Sequence, residues 1–184
     1  AANLTVQYCT LALGENYPQE DAEGGTYATH SLGSLLQAGS NAKISIINNL
    51  YAHLKGRLPR VGSEIGTGAL NDFRNNVFYN WYNTAGTGAT NQPSFNNFIN
   101  NLYLAGPGGD DFTGSNITNA TVFNRAGGTG IFSGADATLT RVFHTGNYKD
   151  TNKDGDPNDM AALSNGDFGS SAIQSGAYDV NIGV

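Results

Sequence analysis

The residues best suited to chemistry gather in two places. The first is Asn48 to Arg60, reading NNLYAHLKGRLPR, which holds His53, Lys55, Arg57 and Arg60. With Lys43 and Arg74 added, thirty-two positions carry five of the nine Lys and Arg residues. The chain as a whole is acidic, with a formal net charge of -6. Cations concentrated on an acidic body suit the capture of a polyanion, because a groove lined by one sign of charge focuses its own field whatever the net charge. The competing use is a solvated surface, with Arg57 and Arg60 paired to Glu64 or Asp72.

The second place is DTNKDGDPND, which begins at Asp150. Asp150, Asn152 and Asp154 stand at the first, third and fifth positions of a calcium-loop pattern, with Gly155 at the sixth for the sharp turn. The twelfth position is Ala161 where that pattern has an acid, so Asp156 or Asp159 must complete a shorter loop. The expected cofactor is calcium, held structurally within residues 148–160; the alternative is a solvated acidic turn. No spacing links His30, His53 and His144 into a catalytic triad or a metal site.

These residues need a scaffold that sets them at a fixed pitch. Three segments share one pattern, an apolar lead-in, Asn-Asn, an aliphatic residue and an aromatic: ISIINNLYAH, DFRNNVFYNW and NFINNLYLAG. Their second asparagines, Asn49, Asn76 and Asn101, lie 27 and 25 residues apart. Two echoes flank them, LTVQYCTL with Cys9 in the asparagine place and TRVFHTGNYKD with Asn147. The 46 residues from Asn101 to Asn147 read as two turns of about 23. A period of this size built on short strands predicts a parallel β-helix, in which asparagines at one turn position stack and hydrogen-bond into a ladder. Asn also tolerates the left-handed backbone of a sharp bend. The alternative, hairpin turns in a sandwich, fits less well, since Asn-Asn lies inside apolar runs and Asn-Gly occurs once, at Asn165-Gly166. Glu15–His30 and Thr84–Pro93 are expected as polar loops projecting from the coil.

Composition agrees. Glycine fills 25 positions and charged residues only 13%, which suits a turn-rich all-β chain. The acidic balance disfavours nonspecific nucleic-acid binding, which needs a broad basic surface, and no apolar run approaches the roughly 20 residues of a membrane span. Cys9 is the only cysteine, so no internal disulfide forms. Few lysines with much Asn, Gly, Ser and Thr points to a secreted, extracellular protein. The first residues carry no signal-peptide pattern and run straight into strand-like alternation, so the chain reads as processed or cut.

In the order NNLYAHLKGRLPRVGS, NDFRNNVFYNWYN and FNNFINNLYLAGPG, the middle of the chain resembles the C-terminal half of pectate lyases of the first polysaccharide lyase family. LTVQYCTLALGENYP, HSLGSLL and VFHTGNYKD extend the likeness. The resemblance implies a right-handed parallel β-helix that cleaves polygalacturonate, or another acidic polysaccharide, by calcium-assisted β-elimination. It makes Arg57 the base that removes the C5 proton and Arg60 the residue that holds a substrate carboxylate through its planar fork of donors. Lys55, His53 and His30 complete the expected substrate-binding set; His30 is the loose substitute for a family lysine that aligns with Leu32.

The resemblance also implies calcium carboxylates upstream of LTVQYC, so the chain is expected to lack N-terminal coils. Three readings follow: a piece of a longer lyase, a degenerate lyase, or a non-catalytic solenoid that binds acidic glycans or assembles head to tail into an extracellular filament. Residues 1–184 are read as one β-helix domain, with 161–184 as a C-terminal tail or cap.

Overall fold

A computed structural model describes residues 3–12, 32–39, 42–63, 68–107, 128–154, 156 and 158–180. The first coil holds β1 (Asn3–Gln7), β2 (Thr10–Ala12) and β3 (Leu35–Gln37). The second holds β4 (Lys43–Ile47), β5 (Leu50–Leu54) and β6 (Arg60–Gly62). The third holds β7 (Ala69–Arg74), β8 (Val77–Trp81) and β9 (Thr84–Gly88). The fourth holds β10 (Ser94–Ile99), β11 (Leu102–Leu104) and β12 (Gly130–Ser133). The last begins with β13 (Thr140–Thr145) and β14 (Tyr148–Asp150), followed by β15 (Ala161–Ala162), the 3-10 helix η1 (Asn165–Phe168) and β16 (Ala172–Ile173).

Like strands stack into three sheets. The first is β1-β4-β7-β10-β13-β16, the second runs from β2 through β5, β8, β11 and β14 to β15, and the third is β3-β6-β9-β12. The ladders are parallel except where β15 runs antiparallel to β14. The chain is therefore the parallel β-helix that its asparagine repeats predict.

The bend from first to second sheet explains the repeats. Its first residue is left-handed in every coil: Tyr8, Asn48, Asn75, Asn100 and Gly146, with φ between 54° and 64°. Its second residue builds the ladder. Asn49 Nδ2 donates to Asn76 Oδ1 at 3.2 Å, Asn76 Nδ2 to Asn101 Oδ1 at 3.0 Å, and Asn101 Nδ2 to Asn147 Oδ1 at 2.9 Å. The same oxygens accept the backbone N–H of the preceding rung, and Cys9 N donates to Asn49 Oδ1 at 2.9 Å. Inside, Phe73 stacks on Phe98 at 4.8 Å, Phe78 stacks on Tyr103 at 4.8 Å, and Tyr51 meets Phe78 at a tilt with ring centres 5.2 Å apart. Such pairs add about 0.5–1.5 kcal/mol beyond the area they bury.

Two expectations change. Asn147 lies directly on Asn101, so the 46 residues between them are one coil carrying an insertion, not two turns. Thr84–Pro93 is no projecting loop, because β9 occupies Thr84–Gly88. Its glycines serve close packing: a Cβ on Gly86 would meet Phe132 at 2.7 Å, and one on Gly88 would meet Thr140 Oγ1 at 2.2 Å.

Candidate functional site

The arginine turn joins β5 to β6 and is tied to the coils on both sides. Towards the first coil, Ser34 N donates to Arg57 O at 2.8 Å and Arg60 N to Ser34 O at 2.9 Å. Towards the third, Leu58 N donates to Ala85 O at 2.8 Å and Thr87 N to Pro59 O at 2.9 Å. Arg57 itself is left-handed, with φ 59°, and the Leu58–Pro59 peptide is cis. A non-glycine residue there costs about 1–2 kcal/mol, so the surrounding bonds hold Arg57 in a conformation it does not prefer.

Leu58 and Val61 are fully buried in the core. Successive side chains on a strand alternate, so Arg60, next to Val61, faces outward from the third sheet. Burial lowers the pKa of the half-buried Arg57 guanidinium, and the positive charge of Arg60 lowers it further. Among the described residues no carboxylate ion-pairs with Arg57 or Arg60. Asp72 is instead engaged by Arg74 Nε at 2.6 Å and Asn97 Nδ2 at 3.0 Å, while Glu64 lies outside the described residues.

Of the other expected residues, His53 and Lys55 lie on the approach to the turn, at and just after the end of β5. His53 sits in a second left-handed bend, φ 54°, matched one coil on by Asn80, φ 52°. Asn80 Nδ2 donates to His53 Nδ1 at 2.9 Å, and Tyr79 meets the imidazole edge-on at 5.1 Å. Lys55 is half-buried two residues before Arg57, and His30 lies outside the described residues. Lys43 and Arg74 belong to the first sheet, on β4 and β7, whereas Arg60 is on the third. The five clustered cations thus divide between faces, and the pair brought together is Arg57 with Arg60.

Three polar residues near Arg60 escaped the sequence reading: Thr87, Gln37 and Gln92. Thr87 pairs with Arg60 across β6 and β9. The signal was available, since adding the 27-residue ladder spacing to Arg60 gives Thr87.

In the acidic loop, Asp150, Asp154 and Asp159 bring carboxylate oxygens within 4.8 Å of one another. Asn152 Nδ2 donates to Asp154 at 2.9 Å and to Asp159 at 2.6 Å, so its amide bridges two of the three. Asp156 is not one of the three; its Oδ1 accepts from Asn158 N at 2.8 Å, and its own N–H donates to Asp154 Oδ1 at 2.8 Å. Converging carboxylates with an adjacent amide are a donor set suited to a hard cation. The loop follows β14, three coils from the arginine turn, or roughly 14 Å at about 4.8 Å per coil. It is therefore no part of the arginine site.

A comparison with known proteins finds a probable pectate lyase C from Aspergillus terreus, 37% identical over 81 residues. The shared stretch is 44% of this chain and 15% of that relative. No protein-family model and no solved structure matches.

Proposed function

We propose that the arginine turn is a polyuronate site of the pectate lyase kind, with Arg57 as base and Arg60 as carboxylate anchor. One observation carries this reading: Arg57 lies beside Arg60, no carboxylate among the described residues neutralises either, and burial and that second charge both push Arg57 towards its neutral form. The partial likeness to a pectate lyase supports it.

In this reading Arg60 grips a uronate carboxylate through two parallel N–H donors. Neutralising that carboxylate acidifies the adjoining C5–H. Arg57, in its neutral form, takes the C5 proton. The electron pair of the C5–H bond becomes the C4–C5 double bond, the C4–O4 bond breaks, and the departing oxygen takes a proton from water. An ordinary arginine titrates above about 12, so the rate rises with pH as the neutral fraction of Arg57 grows. A polymer of this kind places the reaction outside the cell.

Calcium, which the family resemblance implies for the same carboxylate, finds no group of acids at the arginine turn among the described residues. No step here runs through it. A second reading is a solenoid in which the paired Arg57 and Arg60, with no carboxylate among the described residues to neutralise them, bind acidic glycan without cutting it. Incubating the protein with polygalacturonate, with and without calcium, separates the two: unsaturated uronide supports the lyase, and retention on the polymer without product supports the binder. Failure to bind or cleave would dismiss both.

A further inference from the structure

Two strand positions beyond Arg60, the outward face of the third sheet has no side chain, at Gly62. A Cβ added there would meet Gln92 Oε1 at 2.4 Å and Ala89 Cβ at 2.9 Å, so the Gln92 side chain lies flat across the glycine. Gln37, in register with Gly62 on β3, donates from Nε2 to Gln92 Oε1 at 2.7 Å. Both glutamines are half-buried. Their mutual bond uses one donor and one acceptor, which leaves Gln37 Oε1 to accept and Gln92 Nε2 to donate.

Side chains two apart on a strand lie about 7 Å from each other, and neighbouring strands are about 4.8 Å apart. The amide pair therefore stands one sugar ring away from Arg60. We propose that Gln37 and Gln92 read the ring hydroxyls of the uronate whose carboxylate Arg60 holds, making this a site for polyuronate with free hydroxyls. A hydroxyl donates to Gln37 Oε1 and accepts from Gln92 Nε2 at once. An O-acetylated position has no proton to donate, leaves the glutamine acceptor unpaired and brings bulk against the pair. Sites built to hydrogen-bond a hydroxyl reject analogues without it far more strongly than apolar pockets reject a methylene. The inference rests on the polyuronate reading of the arginine turn.

The test is calorimetric binding of the full chain to an oligogalacturonate and to its O-acetylated counterpart. Wild type is expected to bind the unmodified oligomer at least about tenfold more tightly. Gln92→Ala is expected to lose about five- to tenfold on the unmodified oligomer and little on the acetylated one, so the preference collapses. Gln37→Ala gives the same collapse should Gln92→Ala misfold. Gly62→Ala, which displaces Gln92, does so with both glutamines present. Arg60→Ala weakens both ligands alike. If the glutamine variants keep the wild-type preference while Arg60→Ala loses binding, the inference is wrong and the polyuronate reading stands. If Arg60→Ala binds like wild type, that reading falls and takes the inference with it.

Discussion

Replacing Asn76 with alanine tests how the scaffold is held. Asn76 Nδ2 donates to Asn101 Oδ1 at 3.0 Å and to Ile46 O at 2.8 Å, and Asn76 Oδ1 accepts from Asn49 N at 3.0 Å and Asn49 Nδ2 at 3.2 Å. Asn49 Nδ2 keeps its bond to Val6 O, and Asn101 Oδ1 keeps the backbone N–H of residue 76. What the substitution strands is the buried Asn49 N–H, at about 1–3 kcal/mol. Loss of the bond to Ile46 O and the small cavity left behind add about 2 kcal/mol more. The total is about 3–5 kcal/mol, or a fall of about 10 °C in Tm for a chain of this size. Asn75→Gly is the control, because its left-handed backbone, φ 55°, suits glycine and its expected cost is under about 1 kcal/mol. Urea and thermal unfolding followed by circular dichroism measure both. Asn76→Ala within about 1 kcal/mol of wild type, or an equal loss from Asn75→Gly, would refute the ladder as the source of this stability.

Three further outcomes are expected. Cys9→Asn supplies the missing carboxamide rung above Asn49 and should raise the unfolding free energy by up to about 1 kcal/mol; a fall would count against rung additivity. Burial alone would raise the Asp167 carboxyl, but bonds from Lys149 Nζ at 2.5 Å and from Ser164 outweigh it and hold its pKa below the usual range. That stabilisation is present above the unfolded value near about 4 and is lost as pH falls through the folded one, so Asp167→Asn should destabilise at pH 7 and cease to matter near pH 2; a pH-independent effect contradicts this. Millimolar calcium should raise the Tm of wild type and not of Asp154→Ala, and an equal shift in both removes the Asp150 loop as a cation site.

The fold was legible because a bend that needs a left-handed residue and then a stacking amide leaves a recurring mark, Asn-Asn, in the three middle coils. Even Cys9 and Asn147 fell in the right places. Coil counting failed at Asn101–Asn147 because a solenoid tolerates insertions at one corner, so sequence distance does not count turns. Thr84–Pro93 misled because glycine read as turn punctuation, where Gly86 and Gly88 serve close approach to Phe132 and Thr140. The site was legible only in part. Arg57 and Arg60 share a turn and could be paired by eye, but Lys43 and Arg74 joined them only in sequence, since proximity along a β-helix says nothing about which sheet a residue faces from. Gln37 and Gln92 were silent, their bond closing over 55 residues between unremarkable side chains.

The claim that Arg57 acts as the base is tested most directly by the formation of unsaturated uronide from polygalacturonate, followed by ultraviolet absorbance. Wild type is expected to form it at a rate that climbs with pH. Arg57→Ala should bind the polymer and form none. Product from Arg57→Ala at the wild-type rate would contradict the account.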